Sequence, residues 1–366
     1  MKTITLTILA LLLLAACAVE QPVQKIKIGV SVPMTGPATA TGEWVRQGYE
    51  IALGQLPEDE RSSIELVYED DQCNIDTGMT VARKFVEIDK TKFVLGPLCG
   101  VIVKATADYY DSNKIIRMVS GGGFDMYRTM GEYKFAFLGY IEEWMKTLGH
   151  YSAEKGIKTV GILYIDDDYG KENSLYFEKY FTEAGGQIIA KEPFARGETD
   201  FRTQLIKIKN VNPDAILIGG YGSILVNILK QIDELDLQSV KLSLYNTEDP
   251  EIVKSAGNLT EGIIYPMIID DTESEIKTLF SEKYLEEYGI NNVAASAPAF
   301  DSFNVLWSAI KKCGEDADCV YNDIHNIKQY SGASGAFSVD EHGVALRNSA
   351  IKIVKNGKFV YAEEAK

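Results

Sequence analysis

Histidine is scarce in this chain, at three residues of 366, and cysteine nearly so, at five. Lys and Arg total 37 against 53 for Asp and Glu, a formal charge of −16, and no basic run occurs. A surface that must neutralise phosphates needs the opposite balance, so nucleic acid is excluded as a partner. His150, His325 and His342 are scattered and no C-x-x-C is present, which argues against structural zinc. Absent too are G-x-G-x-x-G after a strand, G-x-x-x-x-G-K-[ST], G-x-S-x-G and H-E-x-x-H. Asp166, Asp168 and Gly170 echo a calcium loop, but Phe177 stands where the closing Glu belongs. The chain therefore reads as a binder and not an enzyme, with no cofactor. Its 46% hydrophobic content and its length suit two α/β domains, each with a full core.

The N-terminus reads as an address. Lys2 precedes an apolar run from Ile4 to Leu14, too short to span a bilayer, and then Leu14-Ala15-Ala16-Cys17. This sequence resembles the lipobox of bacterial lipoproteins, which implies a signal peptide over residues 1–16, a lipidated Cys17 and a tether over 17–24. An exported chain meets an oxidising compartment, where the remaining Cys73, Cys99, Cys313 and Cys319 suit disulfides, with three connectivities possible.

The same plan is written twice along the chain. First come a strand Lys27–Val32, a helix Glu43–Leu53, a strand Ile64–Tyr68, an acidic turn Glu69–Asp71 and a helix Thr77–Glu87. A strand Lys92–Leu95, a helix Ile102–Asp111 and a strand Ile115–Val119 complete that copy. The second copy runs strand Thr159–Ile165, helix Lys171–Ala184, strand Gln187–Lys191, helix Asp200–Lys209, strand Ala215–Ile218, helix Ile224–Leu235 and strand Lys241–Tyr245. Short apolar runs alternating with amphipathic helices imply parallel sheets covered on both faces, hence two α/β lobes. Helices Glu273–Tyr288 and Ala297–Lys312 and a final strand-rich segment return to lobes already begun. Crossings are expected near Leu138–Ile141, Pro266–Ile269 and Tyr330–Gly335. The lobes are then 25–140 with 270–332, and 141–269 with 333–366.

Ligands of open parallel sheets sit beyond the carboxyl ends of the strands, at helix N-termini. Here those ends carry Gly36, Cys99-Gly100, Gly121-Gly122-Gly123, Asp168-Tyr169-Gly170 and Gly219–Gly222, which suit an anionic or zwitterionic small molecule. Trp44 and Phe124 in the first lobe, and Tyr169 and Tyr221 in the second, lie near these loops and offer apolar contact.

A set of segments spread from Lys25 to about Val360 resembles the periplasmic branched-chain amino acid binding proteins of ABC importers. They include Ile26–Val30 with Met34-Thr35-Gly36-Pro37, Glu69–Cys73, Leu95–Cys99, Asp168-Tyr169-Gly170, Gly197–Phe201, Gly219-Gly220-Tyr221, Ala256–Gly262 and Ser334–Phe337. The resemblance implies the type I periplasmic binding protein fold, with two Rossmann-like lobes joined by a three-strand hinge and a ligand in the cleft. It implies a Cys73–Cys99 disulfide and ligand contacts from Gly100, Gly122, Gly123, Phe124, Tyr169 and Tyr221. It also implies a monomer that serves a permease and its ATPase subunits. Relatives of leucine-type specificity have Ser at Gly100 and Thr at Phe124. Their ammonium-pairing carboxylate aligns with Tyr245, and only a three-residue shift supplies Glu248. A branched-chain or related amino acid, another carboxylate or an amide thus remain open as ligands, and a lipoprotein that presents its ligand to a membrane sensor is the alternative the same fold allows.

Overall fold

The computed structural model describes residues 25–36, 38–121, 125–268, 274–291 and 295–364. Cys17, the signal segment and the whole tether lie outside them, as do Gly122, Gly123 and Phe124.

The first sheet has five strands in the order β2-β1-β3-β4-β5. They are β1 (Ile26–Val32), β2 (Ile64–Asp70), β3 (Phe93–Leu95), β4 (Ile116–Val119) and β5 (Lys134–Ala136), all paired in parallel. β1 lies inside this sheet, and its β-branched run has Val30 and Val32 wholly buried, as a strand covered on both faces requires. Helix Thr39–Gly54 follows and turns Val45, Tyr49 and Ala52 into the core. Gly48 brings it against helix Ser296–Cys313, because a Cβ there would stand 2.2 Å from the Ser296 carbonyl oxygen. This close packing recruits the distant C-terminal helix to the first lobe.

The second sheet has seven strands in the order β15-β14-β10-β9-β8-β6-β7. β6 (Thr159–Ile165), β7 (Gln187–Phe194), β8 (Ala215–Gly219), β9 (Val240–Ser243) and β10 (Ile264–Ile268) run parallel. β14 (Ser349–Lys355) and β15 (Lys358–Tyr361) are antiparallel at the edge. A three-stranded antiparallel sheet, β11 (Tyr330–Gly332), β12 (Gly335–Val339) and β13 (Ala345–Leu346), packs with the first lobe, where Val344 bridges Ala136 of β5. Two large clusters of buried side chains follow this division in the main, the second-lobe one also taking in Val103, Val119, Tyr127 and Ala136 of the first lobe.

The chain leaves the first sheet after β5, enters helix Ile141–Glu154 of the second lobe, returns after β10, and crosses a last time between β13 and β14. That last crossing falls later than the sequence suggests. Ala333, Phe337, Val339 and Ala345 pack in the first cluster, and β14 begins only at Ser349. The cause is Asp301 on helix Ser296–Cys313, whose carboxylate accepts the N–H groups of Ala333 (2.7 Å) and Ser334 (2.9 Å) and holds that turn to the first lobe. β5 and nearly all of helix Ile141–Glu154 lie where the sequence reading assigned no element, and β10 overlaps the expected crossing at Pro266–Ile269.

Candidate functional site

The carboxyl ends of the two parallel sheets face each other across a cleft with an internal volume of about 90 Å³. Its first-lobe wall comprises Ala38 and Thr41 at the start of helix Thr39–Gly54, the cystine Cys73–Cys99, Leu98, Gly100, Val101 and Gly121. Gly100 opens helix Gly100–Ser112, and no side chain caps that N-terminus. Its first N–H groups therefore point toward a ligand position with the positive end of the helix dipole. Gly121 permits its loop to touch the neighbouring one, since a Cβ would lie 2.3 Å from the Leu98 carbonyl oxygen.

The second-lobe wall is made by loops after β6, β7, β8 and β9. Asp167 caps helix Asp168–Glu183, accepting the Gly170 N–H at 3.0 Å, and its other oxygen accepts Arg196 Nη2 at 2.8 Å. Gly170 is required there because a Cβ would stand 2.0 Å from the Ile165 carbonyl oxygen. The rings of Tyr169 and Tyr221 meet edge to face at 6.0 Å. β9 stops at Ser243 and a 3₁₀ turn, Tyr245–Thr247, swings Tyr245 and Asn246 into the cleft, with Tyr245 resting on Trp144 at 4.6 Å. Burial pushes the Tyr245 phenol up to about 12, and raises those of Tyr169 and Tyr221 as well. All three hydroxyls stay protonated near neutrality and can donate. Asn246 gives an N–H to the Gly220 carbonyl at 3.4 Å, and its buried Oδ1 has no donor among the described residues. That acceptor suits a ligand N–H.

Gly100, Tyr169, Tyr221 and Tyr245, expected from sequence, thus meet in one cleft. Trp44 is buried on helix Thr39–Gly54 and is not among the described residues of the wall. Glu248 sits elsewhere: both its oxygens are 2.9 Å from Lys352 Nζ, and it accepts the Tyr265 hydroxyl at 3.0 Å. Committed to an internal ion pair, it is not placed to meet a ligand ammonium in this cleft. Arg196, Asp167 and Asn246 went unrecognised in the sequence, although the carboxyl-end rule that selected the tyrosines applies equally to their loops. The structure joins Cys73 to Cys99 and Cys313 to Cys319. Among the described residues, no cluster of three His, Cys, Asp or Glu could hold a metal ion, and no helix is long and apolar enough to cross a membrane.

The lobes touch at the cleft mouth. Lys104 of the first pairs with Asp168 of the second at 3.2 Å, and the Asp125 N–H, in the loop between β4 and β5, donates to Glu172 Oε1 at 2.6 Å. Burial, followed by the charges of Asp125 and Asp168, pushes the Glu172 carboxyl up to about 7 from 4.5. A carboxyl raised in the closed form stabilises that form fully below its ordinary value and loses the contribution as pH rises through the higher one. Ligand affinity should therefore fall between pH 5 and pH 8, by up to roughly 70-fold where closure alone buries Glu172, and Glu172→Gln should flatten the dependence. Calorimetric titrations at a series of pH values check both.

The model of the periplasmic binding protein family matches residues 25–358. A leucine-, isoleucine-, valine-, threonine- and alanine-binding protein of Pseudomonas aeruginosa is 24% identical over 328 residues, 87% of this chain and 86% of the relative. The structure of a leucine binding protein, LivK, from Thermotoga maritima superposes with a TM-score of 0.87 at 26% identity, covering 92% of this chain and 97% of that one. An R. palustris solute binding protein in complex with benzoate superposes at 0.85, with 18% identity and coverage of 92% and 95%. With its two-lobed fold and the cleft between the lobes, the chain belongs to the periplasmic binding protein family, a family of solute-binding proteins, and its curated relatives include Leu/Ile/Val-binding proteins.

Proposed function

We propose that this protein is the extracytoplasmic solute-binding component of an ABC importer. It captures a small polar ligand, a branched-chain or related amino acid, between its lobes and delivers it to the permease and its ATPase subunits. The observation that carries the reading is the cleft itself, whose walls come from the carboxyl ends of both parallel sheets and combine helix N–H groups with three tyrosines. Contacts to both walls exist only when the lobes are closed, so a ligand shifts the population toward that form. The Leu14–Cys17 motif supports export and a lipid anchor at Cys17, on the outer face of the cytoplasmic membrane.

A second reading, a non-amino-acid carboxylate as ligand, is favoured by one observation. The position aligned with the family's ammonium-pairing carboxylate is Tyr245, and Glu248 is occupied by Lys352. Thermal unfolding against a panel of amino acids, carboxylates and amides distinguishes the two. A ligand at a hundred times its Kd should stabilise by about 2.7 kcal/mol, a shift of several degrees. A shift with Leu, Ile or Val supports the first reading, a shift only with other acids supports the second, and no shift with any contradicts both.

A further inference from the structure

We propose that Arg196 is a specificity-determining residue of the cleft, receiving the ligand's carboxylate from the second lobe, with Asp167 as the positioning residue that aims it. This rests on the cleft being the ligand site, as proposed above.

Arg196 is the cation in the described cleft wall, beside the carboxylates Asp167 and Asp168. A guanidinium carries five N–H donors in a plane. One, on Nη2, goes to Asp167, and no described residue accepts from Nε or Nη1. The side chain remains 39% exposed while that of Asp167 is only 13% exposed, so the carboxylate is the fixed partner and Arg196 lines the cleft with guanidinium N–H groups still open. The Arg196 charge also acts on the Tyr221 phenol, opposing the rise that burial causes, which places it beside the aromatic part of the wall.

The loop that carries Arg196 is braced from within. Glu198 accepts the Ala195 N–H at 2.8 Å through one oxygen and Gln204 Nε2 at 2.7 Å through the other, and Gly197 takes the left-handed turn (φ 88°). The guanidinium is thus set before the ligand arrives, and less ordering is left to oppose binding. Closing the lobes strips water from its open edge, which is costly unless an acceptor replaces it. A planar carboxylate matches that edge with paired hydrogen bonds. The uncapped helix start at Gly100 faces the same cleft from the other lobe, so a carboxylate between them links the lobes. Asn246 Oδ1 then serves an N–H of the ligand where one is present.

The test titrates L-leucine with L-leucinamide, and benzoate with benzamide, into the full-length protein and into the Arg196→Gln, Arg196→Lys and Asp167→Asn variants. In the starting protein at least one acid should bind, and more tightly than its amide. Arg196→Gln should weaken that acid about 30-fold or more and erase the preference over the amide, whereas Arg196→Lys should recover part of the loss. Asp167→Asn retains a good helix cap, so its unfolding midpoint should hold while the acid weakens several-fold. Acid binding within twofold of the starting protein in Arg196→Gln, or equal losses for acid and amide, would overturn the assignment while leaving the cleft as the ligand site. Failure of all four probes on the starting protein would contradict the ligand reading itself, and the assignment with it.

Discussion

Replacing Asp301 by alanine is expected to destabilise the protein by about 3–5 kcal/mol, the cost of breaking a buried charged network. The side chain is fully buried on helix Ser296–Cys313. It accepts the backbone N–H groups of Ala333 and Ser334 and the Ser334 hydroxyl. Arg347 extends the network, donating to the Ser334 carbonyl and hydroxyl at 2.8 Å each and to the Phe137 carbonyl at 2.6 Å, with its guanidinium over Phe337 at 4.4 Å. The site is packed to the limit: a Cβ on Gly332 would stand 2.2 Å from Asp301 Oδ1. Alanine leaves two buried N–H groups without an acceptor and loosens the turn that precedes the last crossing between lobes. Burial pushes the Asp301 carboxyl up to about 6 from 3.8, against the pull of its hydrogen bonds. Its contribution to stability therefore declines as pH rises from about 4 through 6, the reverse of a surface carboxylate in an ion pair. Urea unfolding of Asp301→Ala at fixed pH measures the loss, and a change below 1 kcal/mol would show that the network is not a main support of the fold.

Opening the Cys73–Cys99 disulfide, by replacing both residues with serine, is the second large effect. The bond spans 26 residues, and the loop-closure relation gives about 3.5 kcal/mol for that length. Both cysteines also line the cleft, and Cys99 holds the start of helix Gly100–Ser112. Stability and ligand affinity should fall together. The Cys313–Cys319 bond closes only six residues, about 2.2 kcal/mol by the same relation, and lies in none of the cleft walls. Its removal should lower the melting temperature and leave affinity unchanged. Melting curves and titrations of the two double variants separate these outcomes.

Much of the fold is legible in the sequence because it rests on local signals. β6 spans Thr159–Ile165 as its apolar run suggests, and helix Gly100–Ser112 extends the expected Ile102–Asp111 by two residues at its start and one at its end. Those two added residues matter, since they place Gly100 on the helix and turn its N–H toward the cleft. Helix Ile141–Glu154 is less visible. Its buried Ile141, Trp144, Met145 and Leu148 have helical spacing, but they directly follow the first crossing, and the hinge reading absorbed its start. β10 is masked similarly by Pro266, which reads as an interruption yet lies within the strand.

The site divides along a different line. Aromatic and glycine residues at strand ends announce themselves, as Tyr169, Tyr221 and Gly100 do. Charged loop residues do not, because in a sequence Asp167 and Arg196 are indistinguishable from solvated turns. Only folding brings Arg196 of the loop after β7 within 2.8 Å of Asp167. The same limit removed Glu248 from the cleft: its partner Lys352 lies 104 residues further along, on β14, which pairs antiparallel with β10.

In the proposed mechanism, ligand binding closes two lobes over one cleft. Small-angle scattering of the protein with and without the acid that gives the largest thermal shift tests it most directly. The radius of gyration should contract on saturation, with one ligand per chain, and Arg196→Gln should need a higher ligand concentration to reach the same contraction. Saturation by that ligand with scattering unchanged would contradict it.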